Sequence, residues 1–443
     1  MSGNIFGNNV KIISFGESHG KAVGVLILGL RPGIEISIAD IQKQLNRRKP
    51  GQNKITSPRS EDDKIEILSG VFNGLSLGTP ICAIIKNKDV KSQDYDNLKN
   101  VFRPGHADYT YFMKYGIYDH RGGGRASGRE TAARVIAGSI AQKILKKSKI
   151  KIYAFTEQVG NIKAKKIDLL EIDKNPVKCP DKDKAKEMET YIKEISSQDD
   201  SCGGIVKAII ENCPGGLGDP VFGKLDAEIS KALMSIGSVK GVEIGAGFSA
   251  AKMHGSKFND QMNQEGFLSN NSGGILGGIS NGNNIEIRIA VKPTPSILKK
   301  QKTINNLNEE KELKIKGRHD PCICPRIVPV VEAMLALVIL DKMLSQEMLF
   351  FDTEADDLKK ISVLRNKIDL IDSDILYLIS ERNKLSSEIG ILKKKNSLKI
   401  YNQTRELEIS KRNKKISRAL KLDYYEVENV MGKIIDWSKK VQK

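Results

Sequence analysis

The stretch Arg121-Gly122-Gly123-Gly124-Arg125-Ala126-Ser127-Gly128-Arg129-Glu130-Thr131-Ala132-Ala133-Arg134 decides how the first three quarters of the chain is read. Three consecutive glycines let a backbone turn tightly and press its N–H groups against a ligand, and the four arginines around them make that ligand an anion. Ser127 and Glu130 stand at capping-box spacing, so the loop is predicted to run into a helix whose N-terminus also favours negative charge. Ala132, Ala133, Val135, Ile136, Ala137, Ile140 and Ile144 continue that helix, small residues first, which permits close packing. The alternative is a surface glycine turn with solvated arginines. The capping box and the adjoining Arg103-Pro104-Gly105-His106-Ala107-Asp108 favour a site.

Working outward, 443 residues exceed the size at which one hydrophobic core stops growing, so at least two domains are expected. The net charge of +18 admits a nucleic-acid partner, an acidic membrane or small anionic substrates. Scattered lysines, only 5% aromatic residues and no nucleic-acid-binding motif favour small anionic substrates, with no nucleic-acid and no membrane partner. A basic RNA-binding protein is the reading set aside, and it would show salt-sensitive RNA affinity. The first ten residues lack a signal-like pattern and no apolar run reaches membrane length, so a cytoplasmic protein is expected. Six cysteines, at 82, 179, 202, 213, 322 and 324, show neither Cys-x-x-Cys pairs nor matched histidine spacing, so no metal site is expected.

Residues 10–15 and 23–28 read as strands around the tight loop Gly16-Glu17-Ser18-His19-Gly20. Further short apolar runs fall at 65–69, 80–85, 204–210, 241–248 and 285–291, with helical stretches near 39–45, 183–195, 220–234 and 330–344. Arg47, Arg48, Lys54 and Arg59 occupy a Gly/Pro-punctuated basic segment; Ser272 to Gly278 is rich in glycine; Lys292-Pro293-Thr294-Pro295-Ser296 follows a strand directly; Arg318-His319-Asp320-Pro321-Cys322 precedes an apolar helix. The mixture implies an α/β or α+β fold, and neither a dinucleotide fingerprint nor a P-loop lysine is present.

These blocks together closely resemble the chorismate synthase family over residues 1–344. The resemblance implies a layered α/β sandwich assembled as a tetramer. It also implies loss of phosphate and a carbon-bound proton from 5-enolpyruvylshikimate 3-phosphate, with reduced FMN required although the net reaction is redox-neutral, and NADPH as a candidate reductant. FMN would lie against Arg125, Ala126, Ser127, Gly237, Ser238, Gly277, Lys292, Pro293, Thr294, Pro295, Ser296 and Arg318. Arg48 and Lys54 match basic positions that bind the anionic substrate or are assigned to NADPH. His19 fits a proton donor to the departing phosphate, His106 a proton source for the reduced flavin, and Asp320 a group that holds or accepts a proton near the reacting ring. Two positions depart from the family: Lys54 stands where arginine is common, and Gly237-Ser238 where Pro-Ala or Asn-Ala is more usual.

About a hundred residues follow, opening on a polar, acidic linker over 345–357 and continuing as an all-α three-helix domain over 358–443. Leu364, Ile368, Ile371, Ile375, Ile379, Leu385 and Ile389 fall on one helical face, with Arg382 and Lys393 in the middle of that stripe. Cations so placed need a partner. They are about 16 Å apart along the axis, a gap that two long side chains can close around a small dianion. A second helix begins near Asn402 and carries Arg405 and Glu406; a third, from about Tyr424, ends in the polar pair Ser438 and Gln442. Periodicity alone favours a three-helix dimerisation or coiled-coil tail with solvated charges, non-catalytic or chorismate-sensing.

The pattern resembles the helical class of chorismate mutase, whose site positions Arg365, Arg382, Lys393, Arg405, Glu406, Ser438 and Gln442 match in order and spacing; Asn402 departs, since aspartate is common there. The resemblance implies an intertwined dimer and rearrangement of chorismate to prephenate without covalent catalysis. Arg365, Arg382 and Arg405 would bind carboxylates, Lys393 and Gln442 the ether oxygen, and Asn402 and Glu406 the ring hydroxyl. The first activity's product is the second's substrate.

Overall fold

The computed structural model describes residues 3–53, 55–56, 61–88, 98–315, 319–349 and 357–442. The chain divides into two compact units, Met1–Leu349 and Phe350–Lys443.

In the first unit, β1 (Ile5–Phe6), β2 (Lys11–Phe15), β3 (Ala22–Leu28), β4 (Ile65–Ser69) and β5 (Ile81–Lys86) form a sheet in the order β1-β2-β3-β5-β4. A second sheet, in the order β9-β10-β8-β6-β7, comprises β6 (Lys151–Val159), β7 (Ile162–Lys163), β8 (Gly204–Glu211), β9 (Val239–Ile244) and β10 (Ile285–Val291). Every pairing in both sheets is antiparallel. Alternation along β10 buries Ile285, Ile287, Ile289 and Val291 on one face, the pattern of a sheet covered on one side.

The helices of this unit include α1 (Ile38–Arg48), α2 (Asp108–Tyr115), α3 (Thr131–Lys147), α4 (Lys182–Ser197), α5 (Leu225–Met234) and α6 (Cys324–Leu349). Helix α3 packs on β2, β3 and β5, helix α6 on β6 and β8, and the two helices pack on each other, giving sheet, helices and sheet in layers. Small residues make that crossing close: a Cβ on Gly138 would stand 2.3 Å from the Ala333 Cβ. Helix α6 is buried on every side from Val328 to Leu340, as expected of a helix at the centre of the layers.

The structure departs from the sequence reading in five places. Helix α5 starts at Leu225, because the segment from Asp219 to Gly223 closes on itself (Asp219 N–H to Gly223 O, 3.1 Å) with Val221 at φ +68. Helix α6 begins at Cys324 rather than near 330 and carries Pro329 inside it, as its sixth residue. The run 241–248 ends as a strand at Ile244 and turns into a 3₁₀ segment, Gly247–Lys252. Strand β6 is an addition to the sequence reading. Helix α6 also runs on through residues 345–349, the start of the expected linker.

The second unit consists of α7 (Asp357–Lys395), α8 (Gln403–Ala419) and α9 (Tyr424–Val441), with α9 packed on both others. Asn402 Oδ1 accepts the Arg405 N–H at 3.0 Å and Asp423 Oδ1 the Glu426 N–H at 3.0 Å, so an Asx residue caps each of the two later helices. Helix α7, 39 residues long, spans about 58 Å. Its stripe stays open: Leu364, Ile368, Ile371, Ile375, Leu385 and Ile389 are between 46% and 60% exposed.

Candidate active sites

The glycine loop closes on His19. Gly122 has φ +66, and a Cβ there would lie 2.1 Å from the His19 Nδ1, so glycine is what lets the loop reach the imidazole. Ser127 accepts the Arg129 N–H at 3.3 Å and caps a 3₁₀ turn, Gly128–Glu130, that leads into α3. The capping box forms only in that half. Glu130 turns instead to the Ser14 hydroxyl (2.8 Å) and Arg134 Nε (2.9 Å), because a charged donor outbids a backbone amide, and the Ser127 N–H goes to Gly124 O.

Beside this loop lies a cavity of about 760 Å³. His19, Arg48, His106, Arg125, Ala126, Ser127, Gly237, Ser238, Lys292, Thr294, Pro295, Ser296 and Asp320 all line it, although they come from segments spread over three hundred residues. Two expected residues lie outside its wall. Pro293 faces Gly203, and Gly277 turns the hairpin between Ile275–Leu276 and Ile279–Ser280. Lys54 and Arg318 lie outside the described residues. The lining carries eight cations (Arg48, Arg103, Arg125, Arg129, Arg134, Lys231, Lys292, Arg326) against Glu61, Glu130 and Asp320, an excess that selects anions.

Most of these cations arrive with an internal partner. Buried Asp63 bridges Arg48 and Arg129, and Glu61 stands 3.7 Å from Arg129. Burial raises the Asp63 pKa, but the two guanidiniums outweigh it and hold the carboxyl below its usual range. Asp320 pairs with Arg326, whose Nε also donates to the Arg48 carbonyl at 3.4 Å. Arg125 donates to Ser14 Oγ (2.6 Å) and to the Gly16 carbonyl (3.2 Å). Lys292 donates to the Gly105 carbonyl at 2.6 Å, and burial with nearby Lys240 lowers its pKa. Asp63, Glu61 and Ser18 were missed in the sequence; the acidic run 61–63 directly after the basic segment was the available signal.

The wall suits a phosphorylated aromatic cofactor. Thr294 Oγ1 and Arg48 Nε are buried with no hydrogen-bond partner among the described residues, and Gly237, where a Cβ would meet nothing within 4 Å, leaves backbone open to close approach. Ser238 sits at φ +74, strain of the kind found in ligand walls. The histidines are held by neighbours: Ser18 Oγ lies 3.1 Å from the His19 Nδ1, and Asp108 Oδ1 lies 2.7 Å from the His106 Nδ1.

In the second unit, α7 and α9 bring four of the expected residues together. Arg382 donates to the Ser438 hydroxyl and to the Ile434 carbonyl (3.3 Å); Lys393 donates to the Ile400 carbonyl (2.7 Å) and to Gln442 Oε1 (3.3 Å). The approach is tight, since a Cβ on Gly390 would stand 2.8 Å from the Gln442 Cα. Burial, then nearby Arg412, lowers the Arg382 pKa. Glu406 is paired with Lys439 at 2.6 Å, a partner the sequence reading did not name. Asn402 caps α8, and Arg405 is exposed and paired with Glu408 (2.9 Å). Arg365 lies seventeen residues, about 26 Å, before Arg382 on the same helix and is outside this cluster.

A layered α+β unit with two histidines facing a cationic cavity, followed by a helical unit with two cations held by neutral acceptors, defines a two-site enzyme of small anionic molecules. Residues 10–344 match the family described as chorismate synthase, and residues 364–443 the family described as chorismate mutase type II. The chain is 53% identical to a chorismate synthase of Christiangramia forsetii over 346 residues, covering 77% of this chain and 97% of the relative. It is 52% identical to that of Methanosarcina mazei over 353 residues, 78% of this chain and 97% of the relative. A crystal structure of chorismate synthase superimposes with TM-score 0.60 at 31% identity, covering 77% of this chain and 93% of that one. The chain belongs to the chorismate synthase family and carries a chorismate mutase type II domain behind it, a fusion of the two enzymes.

Proposed function

We propose that the chain makes chorismate from 5-enolpyruvylshikimate 3-phosphate in residues 1–344 and converts it to prephenate in residues 358–443, the stretch 345–357 joining the two. The observation that carries the first half is the cavity lined by both histidines and eight cations. Arg48 and its cationic neighbours bind the substrate's phosphate and carboxylates. The carbon–oxygen bond to phosphate breaks, His19 protonates the departing phosphate, a carbon-bound proton leaves toward Asp320, and the electron pair closes the new double bond. Arg125, Ala126, Ser127, Gly237, Ser238, Lys292, Thr294 and Ser296 would hold FMN, and His106 would stand beside it as a proton source. Reduced FMN, when bound, supplies the electron-rich ring that the elimination requires.

In the tail, Arg382 fixes a carboxylate, Lys393 and Gln442 hydrogen-bond the ether oxygen, and Glu406 orients the ring hydroxyl. Catalysis there is selection of a reactive conformer together with stabilisation of developing charge. Helix α7 pairs with its counterpart in a second copy, which covers the open stripe and delivers the partner's Arg365. The assembly is a cytoplasmic tetramer through the first unit with dimer contacts through the second. Among the described residues no helix is long and apolar enough to cross a membrane.

The test uses the intact chain under anaerobic conditions. Chorismate should form only with reduced FMN, and added chorismate should be consumed without any flavin. Flavin-free protein that leaves chorismate untouched would make the tail an assembly or sensing module. Supplying FMN with NADPH alone decides whether the chain reduces its own flavin.

A further inference from the structure

Asp108, the first residue of α2, is buried and joins two side chains at once. Arg103 grips its carboxylate with two hydrogen bonds, Nε to Oδ2 and Nη2 to Oδ1, each 2.7 Å. The His106 Nδ1 lies 2.7 Å from the same Oδ1. Arg103 Nη2 also donates to the Gly122 carbonyl at 2.7 Å, and Gly122 is the glycine packed against the His19 ring. Phe102, the residue before Arg103, packs edge-on against Tyr109 and at a tilt against Phe112 and Tyr118.

We propose that Asp108 is a positioning residue for proton transfer, fixing the ring and tautomer of His106 directly and the wall behind His19 through Arg103 and Gly122. A carboxylate gripped by a guanidinium offers only lone pairs, so the His106 nitrogen facing it carries the proton. That leaves Nε2 as the nitrogen available to the cavity, which His106 lines. Burial raises the Asp108 pKa, but the bonds from Arg103 and His106 outweigh it and keep the carboxyl well below its usual range. The same carboxylate therefore stays an acceptor throughout the working pH range. Asp108 itself acts only through its neighbours.

The inference rests on the reading of His106 as a proton source, and the experiment separates the two. Synthase turnover of the intact chain is measured with reduced FMN for Asp108→Asn, His106→Ala and the double variant. Asp108→Asn should lower kcat about 10- to 100-fold with little change in KM, the usual cost of losing a histidine's outer partner. In the His106→Ala background the same substitution should cost much less, only the part carried through Arg103 and Gly122 to His19, because the interaction with His106 is already gone. Asp108→Glu, which keeps the charge, should recover part of the rate, and it replaces Asp108→Asn in the cycle if the amide variant does not fold. Equal losses in both backgrounds, or a loss confined to KM, would overturn the positioning role and leave Asp108 structural. Full turnover in His106→Ala would instead sink the role of His106.

Discussion

The two sites treat their cations differently. In the first unit Arg48, Arg129, Arg103 and Arg326 each meet a carboxylate of the protein, so the cavity is electrostatically assembled before a ligand enters. In the tail Arg382 and Lys393 meet a hydroxyl, backbone carbonyls and an amide oxygen, all neutral. A half-buried cation with only neutral partners is left short of counter-charge until an anion arrives, so the tail keeps its cations for a dianion while the first unit fixes geometry. The contrast suits the chemistry: elimination needs protons delivered to fixed points, and rearrangement needs only a folded substrate held between two charges.

The comparison is tested hardest at the histidines. His19→Ala and His106→Ala should each keep substrate binding and slow chorismate formation by roughly two to four orders of magnitude, as loss of acid–base groups does. Prephenate formation by the same protein should not change. Wild-type synthase turnover in either variant would remove the acid–base reading of that cavity.

Next comes the internal counter-charge. Asp63→Ala strands two buried guanidiniums and should lower the stability of the first unit by about 3–5 kcal/mol in urea unfolding. The sign with pH follows from the depressed Asp63 carboxyl. Its folded pKa lies below the unfolded value of roughly 3.9, so its stabilisation is present above that value and fades as pH falls through the folded pKa. The stability gap between the wild type and Asp63→Asn should therefore narrow below about pH 4. A gap that stays constant down to pH 2 would mean that the ion pairs are not its source.

A smaller effect is expected from the open stripe. Ile375→Glu places a charge on a face that one chain leaves exposed and that the proposed dimer would bury, so mutase activity at micromolar chain should drop at least about tenfold while synthase turnover holds. Sedimentation of the variant checks that the loss tracks assembly. Unchanged mutase activity with unchanged mass would refute the shared site.

What the sequence showed and what it hid divide along physical lines. The strands flanking His19 and the helix after Ser127 were legible because apolar period and capping are local. Asp63 was not, since its partners Arg48 and Arg129 are 15 and 66 residues away in sequence and only the fold brings them together. Glu130 misled, because spacing could not reveal that Ser14 would compete for it. In the tail the order and spacing of Arg382, Lys393, Ser438 and Gln442 were enough, as three regular helices carry a sequence period directly into space. Lys439 went unremarked because a lysine late in an amphipathic helix ordinarily serves the helix dipole.

The finest test compares the two units' dependence on protons. Lys393 is an ammonium and can only donate, so the Gln442 atom it faces is the amide oxygen, and the Gln442 NH₂ is left to donate to the substrate's ether oxygen. An amide donates at any pH. Asn402, which replaces an ionisable aspartate, adds no titration. Mutase activity should therefore be nearly flat from about pH 5 to 9, in contrast to a synthase for which two histidines are proposed as acid–base groups. Gln442→Glu converts the donor into a carboxyl that must be protonated to donate, and beside Lys393 it favours the charged form. Its rate should fall about tenfold per pH unit once pH exceeds the new carboxyl's pKa. A wild-type rate that collapses between pH 6 and 8, or a Gln442→Glu profile that matches the wild type, would mean that Gln442 does not reach the ether oxygen.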